Sequence, residues 1–140
     1  MTARHAAFSM TLHSVPGQIR RVEGFLKKVN RFAHLDEIQM HKMMVSLTEA
    51  VNNAIIHGNK SDETKKVHVR CEILPGWLVV FVHDEGKGFR PSRVRNPLKK
   101  QNLLRENGRG IFLMRTLMDR VEFDIDPSGA EVALWLDTNK

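Results

Sequence analysis

The order of apolar patterns along the chain predicts an α+β fold, a two-layer α/β sandwich with helices on one face of a mostly antiparallel sheet. Three observations lead there. Two long early stretches carry apolar residues at helical spacing. Four later stretches alternate or run apolar as strands do, and turn signals join them in two pairs. One glycine-opened helix separates the pairs, so the strand-helix-strand alternation of a doubly wound parallel sheet is missing. The 140 residues suit one domain with its own core, and residues 1–140 are read as that single domain.

The elements follow in order. Ala7 to His13 alternate weakly, with Phe8, Met10 and Leu12 apolar, which predicts an edge strand. Ser14 is a candidate cap and Pro16 suits a first helical turn. Ile19, Val22, Phe25, Leu26 and Val29 then mark an amphipathic helix over Pro16 to Ala33. Asp36 is a candidate cap for a second helix, whose stripe runs Met40, Met43, Met44, Leu47, Val51, Ala54 and Ile55. Gly58 and Asn59 read as its terminators. Val67, Val69, Cys71 and Ile73 alternate as a half-buried strand, and Pro75-Gly76 is a turn. Trp77 to His83 is nearly all apolar and predicts a central strand. Asp84 to Asn107 reads as a long loop, a length uncommon inside a compact domain unless it serves function or is disordered. Gly110 to Asp119 predicts a third helix. Val121, Phe123 and Ile125 predict a strand, Pro127-Ser128-Gly129 a turn, and Val132, Leu134 and Leu136 the last strand.

Composition bounds the function. No apolar run is long enough to cross a bilayer, and Met1 to His13 lacks the pattern of a secretory signal. The lone Cys71 excludes an internal disulfide and a multi-cysteine zinc site. A cytoplasmic location is expected. The net charge is +6 and is concentrated: Lys87 to Arg109 holds eight basic residues and one acid, Glu106. The other 14 basic and 15 acidic residues nearly balance. Such a segment attracts polyanions, or serves as a solvated loop. Phe89 is the one aromatic within it, so a stacking platform for nucleic acid is poorly supplied and no nucleic-acid partner is expected.

Three motifs carry chemistry. The first lies at the end of the second helix, EAVNNAIIHG from Glu49 to Gly58. Glu49 and Asn53 are four residues apart and share a face. A carboxylate there can take a proton from an attacking hydroxyl, and an amide oxygen can bind a hard cation such as Mg²⁺. His57 sits at the helix end, where a cationic ring is favoured. The second, DEGKGF from Asp84 to Phe89, follows the central strand. Its carboxylate can accept a hydrogen bond from an exocyclic amine, and Gly86 and Gly88 allow close backbone approach. The third, Asn107-Gly108-Arg109-Gly110-Ile111, opens the third helix, where free N–H groups bind phosphate. Each motif alone is common in proteins of unrelated function.

Together, in this order, the motifs resemble the N, G1 and G2 boxes of the GHKL ATPase superfamily, which includes sensor histidine kinases, type II topoisomerases, mismatch-repair ATPases and a heat-shock chaperone. LTEAVNNAIIHGN and ENGRGIFLMRTLMD look most like anti-sigma-factor serine/threonine kinases of the RsbW type. The resemblance spans nearly the whole chain and implies a Bergerat-type ATP-binding fold. It implies ATP and Mg²⁺ as cofactors, Glu49 as catalytic base toward a partner serine, and Asn53 as Mg²⁺ ligand. It implies that Asp84 binds the adenine amine, with Gly86, Gly88 and Phe89 beside it. Gly108, Arg109, Gly110 and Ile111 match the phosphate loop, and His57 joins the nucleotide-contacting set. Phe89 to Asn107 looks like an ATP lid, in which Arg105, Lys99 or Lys100 would offset γ-phosphate charge. The implied partners are a sigma factor and a STAS-type anti-anti-sigma protein, and the implied assembly is a homodimer through the first strand. The last hairpin of such kinases often reads Gly-Thr, whereas this chain has Gly129-Ala130 and so lacks that hydroxyl. The alternative reading is a catalytically silent, nucleotide-gated binding module. A histidine-kinase core is disfavoured, because none of the seven histidines lies in an evident acceptor helix.

Overall fold

Alternating side chains decide which face of the sheet becomes the core. The computed structural model, which describes residues 6–86 and 108–140, has five strands. These are β1 (Ala6–His13), β2 (Lys66–Leu74), β3 (Trp77–Asp84), β4 (Arg120–Asp126) and β5 (Gly129–Asp137). Their spatial order is β1-β2-β3-β5-β4, with every neighbouring pair antiparallel. Phe8, Cys71, Val80, Leu134 and Val121 line up in one row across the sheet, and Met10, Val69, Val82 and Val132 in the next. Residues two apart on a strand share a face. That face packs on α1 (Arg20–Ala33), α2 (Glu37–Asn53) and α3 (Gly108–Leu117) to form one core. Leu12, Leu26, Met43, Leu47, Leu78 and Leu134 are fully buried. Burial of each stabilises by about 1.5–3 kcal/mol over an exposed position. The expected sandwich, with β1 at an edge and β3 in the middle, is therefore present.

The apolar run of β3 has a second cause beyond its central place. Val79 and Ala133 are buried on the opposite face of the sheet, where Val79 pairs with Trp135 and Ala133 with Phe81. Trp77 stands edge-on to Trp135 at 5.8 Å, and the Arg70 guanidinium lies 4.5 Å from the Phe81 ring centre. Trp77 is thus half-buried on the outer face rather than sunk in the core. Both faces of the sheet centre are covered, so alternation is lost there.

Helix boundaries follow local chemistry with two corrections. Asp36 caps α2 as expected: its Oδ1 accepts from Gln39 N–H at 2.7 Å, while Gln39 Oε1 accepts from Asp36 N–H at 3.0 Å. This reciprocal pair satisfies two donors that the first turn leaves free. Ser14, by contrast, caps nothing. Pro16–Ile19 form a 3₁₀ turn whose N-cap is Val15, without a side-chain bond, and Ser14 is buried with its hydroxyl donating to Lys65 O at 2.7 Å. The third helix begins at Gly108, two residues before the predicted start, so Gly110 lies inside its first turn. Among the described residues no helix is long and apolar enough to cross a membrane.

Candidate functional site

The site grows from the end of α2. There the helix widens into a π turn, Ala54–Gly58, closed by Asn59 N–H donating to Ala54 O at 2.8 Å. Such single π turns concentrate at functional positions. This one brings Gly58 against the end of β3. A Cβ on Gly58 would run into the Asp84 carboxylate, and one on Gly86 into the Gly58 carbonyl. A Cβ on Gly129 would strike the Asp84 carbonyl oxygen, and Gly129 has φ +141°, a conformation that strongly favours glycine. Three glycines therefore clear the space around one acid.

Asp84 continues the inward-facing series Leu78, Val80 and Val82, which makes it a carboxylate at the rim of an apolar row, only 6% exposed. Its Oδ1 accepts from Gly86 N–H at 3.0 Å and Ala130 N–H at 3.1 Å. Among the described residues no hydrogen bond reaches Oδ2. Burial pushes its pKa above the ordinary carboxylate range, and the two backbone donors pull it partly back. An apolar wall with one oriented, unused carboxylate oxygen is suited to a flat ligand bearing an N–H donor. The Ala130 backbone amide makes its contact to Asp84 without any side-chain hydroxyl.

The second half of the site lies on α2 itself. A Cβ on Gly110 would be 2.9 Å from Glu49 Oε2 and 3.2 Å from Asn53 Nδ2. Glu49 and Asn53, both half-buried, thus converge on the first turn of α3, whose free N–H groups form an anion seat. Asn53 and Gly58 are separated by roughly 7 Å of helix axis. One continuous helical element therefore touches Asp84 at one end and Gly110 at the other. No group of three His, Cys, Asp or Glu that could hold a metal occurs among the described residues. One amide oxygen beside a phosphate seat does suit Mg²⁺, which keeps several waters and takes phosphate oxygens.

The remaining predicted residues divide. Ile111 packs against the core, so its backbone rather than its side chain faces the seat. Arg109 and His57 are exposed. Gly88, Phe89, Lys99, Lys100 and Arg105 lie outside the described residues, as does the segment read as a lid up to Asn107. Sequence reasoning missed Asn59, Ser14 and Glu85. Asn59 is fully buried and Glu85 N–H donates to its Oδ1 at 2.8 Å. A polar stretch beginning at Asn59 gave no sign of that burial.

Comparison with known proteins agrees with this geometry. Residues 12–136 match the family model described as histidine kinase-like ATPase domain. A serine-protein kinase RsbW of Bacillus licheniformis is 37% identical over 108 residues, covering 71% of this chain and 64% of that protein. An anti-sigma F factor of Clostridium perfringens is 35% identical over 106 residues, covering 71% and 76%. The chain therefore spans less than two thirds of the RsbW relative's length. The crystal structure of the RsbU and RsbW domains of a Mycobacterium tuberculosis protein superposes with a TM-score of 0.70 at 16% identity, over 94% of this chain and 32% of that one. Shared fold, matched segment and converging boxes lead to one conclusion: the chain belongs to the histidine kinase-like ATPase domain family.

Proposed function

We propose that this domain binds ATP with Mg²⁺, transfers the γ-phosphoryl group to a serine of a STAS-type anti-anti-sigma protein, and sequesters a sigma factor in the cytoplasm. The names of relatives at 35–37% identity support the kinase and anti-sigma parts. The observation that carries the reading is the approach of Gly110 to Glu49 and Asn53 on the helical element that also abuts Asp84.

Each residue then has a task. Asp84 Oδ2 accepts a hydrogen bond from the adenine amine, while Gly58, Gly86 and Gly129 leave room for the ring. The free N–H groups from Gly108 to Ile111 receive phosphate oxygens, and Arg109 adds positive charge. Asn53 Oδ1 is the protein oxygen offered to Mg²⁺, which when bound would neutralise phosphate charge. Glu49 accepts the proton of the seryl hydroxyl as its oxygen attacks the γ-phosphorus. The new O–P bond forms, the β,γ-bridging P–O bond breaks, and ADP leaves with that electron pair. Positioning and electrostatics supply most of the rate in such transfers. The basic segment 87–107 serves as the lid. A homodimer is part of this reading: the outer edge of β1 pairs with no strand among the described residues, and beside it Phe8 packs at 5.3 Å on exposed Phe32.

Transfer of label from γ-labelled ATP to a STAS-type antagonist tests the proposal. Wild type should transfer label, and Glu49→Gln should slow transfer by roughly 10²–10⁴-fold while ATP and partner binding persist. A wild type that binds ATP but labels no antagonist would leave the silent, nucleotide-gated binding module as the correct reading.

A further inference from the structure

Asn59 follows the π turn directly and has no solvent exposure, yet it is a polar side chain with every polar group in use. Its Nδ2 donates to Ser14 Oγ at 2.7 Å and to Lys66 O at 2.9 Å, and its Oδ1 accepts from Glu85 N–H at 2.8 Å. Its backbone N–H closes the π turn on Ala54 O, and its carbonyl accepts from Asp62 N–H at 3.0 Å. A carbonyl on one side and an N–H on the other leave a single orientation for the amide, since reversal would set donor against donor and acceptor against acceptor. Three segments distant in sequence are thereby joined: the end of β1, the start of β2 and the residue after Asp84.

Glu85 is held from a second direction. Its carboxylate accepts from Lys66 N–H at 2.9 Å and bonds His68 Nε2 at 2.7 Å. Gly58, on the other side of Asn59, is in contact with both Asp84 and Gly86. Asn59 thus sits between the two strands of chain that enclose the Asp84 carboxylate. A shift of the Glu85 amide moves Asp84 Oδ2 with it.

We propose that Asn59 is a positioning residue for purine recognition: through its bond from Glu85 N–H it fixes the direction of Asp84 Oδ2 and so sets selectivity for a base bearing an exocyclic amine. This rests on the reading of Asp84 as the amine acceptor. A bond to the Asp84 carboxylate is strong enough to give roughly tenfold or greater preference for ATP over an analogue without the amine. The Ser14–Asn59 bond provides the internal control, because its loss weakens the same buried network without releasing Glu85.

The test uses the full chain and compares calorimetric affinities for ATP and for purine riboside triphosphate, which lacks the 6-amino group. Titrations are run well below each variant's melting temperature. Wild type should prefer ATP. Asn59→Ala should lose most of that preference, with affinity for the amine-free analogue within about twofold of wild type. Ser14→Ala should melt earlier yet keep the preference. Asn59→Asp, which retains an oxygen for Glu85 N–H, should keep it too, and that variant decides the matter if Asn59→Ala does not fold. The proposal is overturned if Asn59→Ala keeps the wild-type ratio, if it lowers both affinities equally, or if Asn59→Asp abolishes the ratio. A wild type with no preference for ATP overturns the assignment of Asp84 itself, and this proposal with it.

Discussion

Gly58→Ala adds one methyl group at the end of the π turn, directly into the Asp84 carboxylate. Gly24→Ala adds the same group in α1, where a Cβ would meet nothing within 4 Å. Neither glycine has positive φ, so both backbones accept alanine. In an open helix, Gly→Ala stabilises by about 0.4–1 kcal/mol, chiefly through the unfolded chain. That gain is common to both variants, and the difference between them isolates the clash. Overpacking of a fitted contact costs about 1–3 kcal/mol, so Gly58→Ala should be less stable than Gly24→Ala by about that amount. Displacing Asp84 Oδ2 also removes a charged hydrogen-bond acceptor, worth about 1.5–3 kcal/mol and hence roughly 10- to 150-fold in ATP affinity. Urea unfolding of wild type and both variants, with ATP titration of each, measures both quantities. Equal stability of the two variants together with wild-type ATP affinity in Gly58→Ala would refute the close packing of the π turn on Asp84 and the role drawn from it.

Two further substitutions probe the halves of the site separately. Asp84 has its pKa raised by burial above the ordinary 3.8. Its favourable contribution is therefore complete below that value and is lost as pH rises through the folded-state pKa. Asp84→Asn should abolish this loss and make the apo protein more stable at neutral pH than wild type, with the advantage shrinking toward pH 3.8. The same variant should bind ATP roughly 10- to 150-fold more weakly; thermal melts across pH and a nucleotide titration check both signs. Gly110→Ala sets a methyl 2.9 Å from Glu49 Oε2 and 3.2 Å from Asn53 Nδ2, two side-chain ends able to turn aside. Its stability should change by less than about 1 kcal/mol, while phosphotransfer falls about 10²-fold through misplacement of the reacting groups, as single-turnover kinetics would report.

Local periodicity was enough for the elements of this fold. The stripe of α2, its Asp36 cap and the alternation of β2 are written in neighbours a few residues apart, and helix and strand geometry act at that range. The pairing of Glu49 with Asn53 follows in the same way from one helical turn. The order of the three boxes, together with their resemblance to a known superfamily, indicated the kind of ligand before any contact was known.

What remained hidden depends on segments far apart in the chain. Ser14 looked like a helix cap, and Gly58 and Asn59 looked like a helix stop, because their types suit those tasks. Packing of the π turn against β3 instead makes Gly58 a clearance for Asp84, and it buries Asn59 between Ser14, Lys66 and Glu85. Ala130 looked like a missing hydroxyl, yet its backbone amide bonds Asp84, 46 residues earlier. The sequence alone determined which residues are helix, strand and candidate chemistry, since those choices are made by local dihedral and hydrophobic preferences. Tertiary structure alone decided which small residues must stay small and which polar side chain is buried, because those demands come from backbones meeting across the fold.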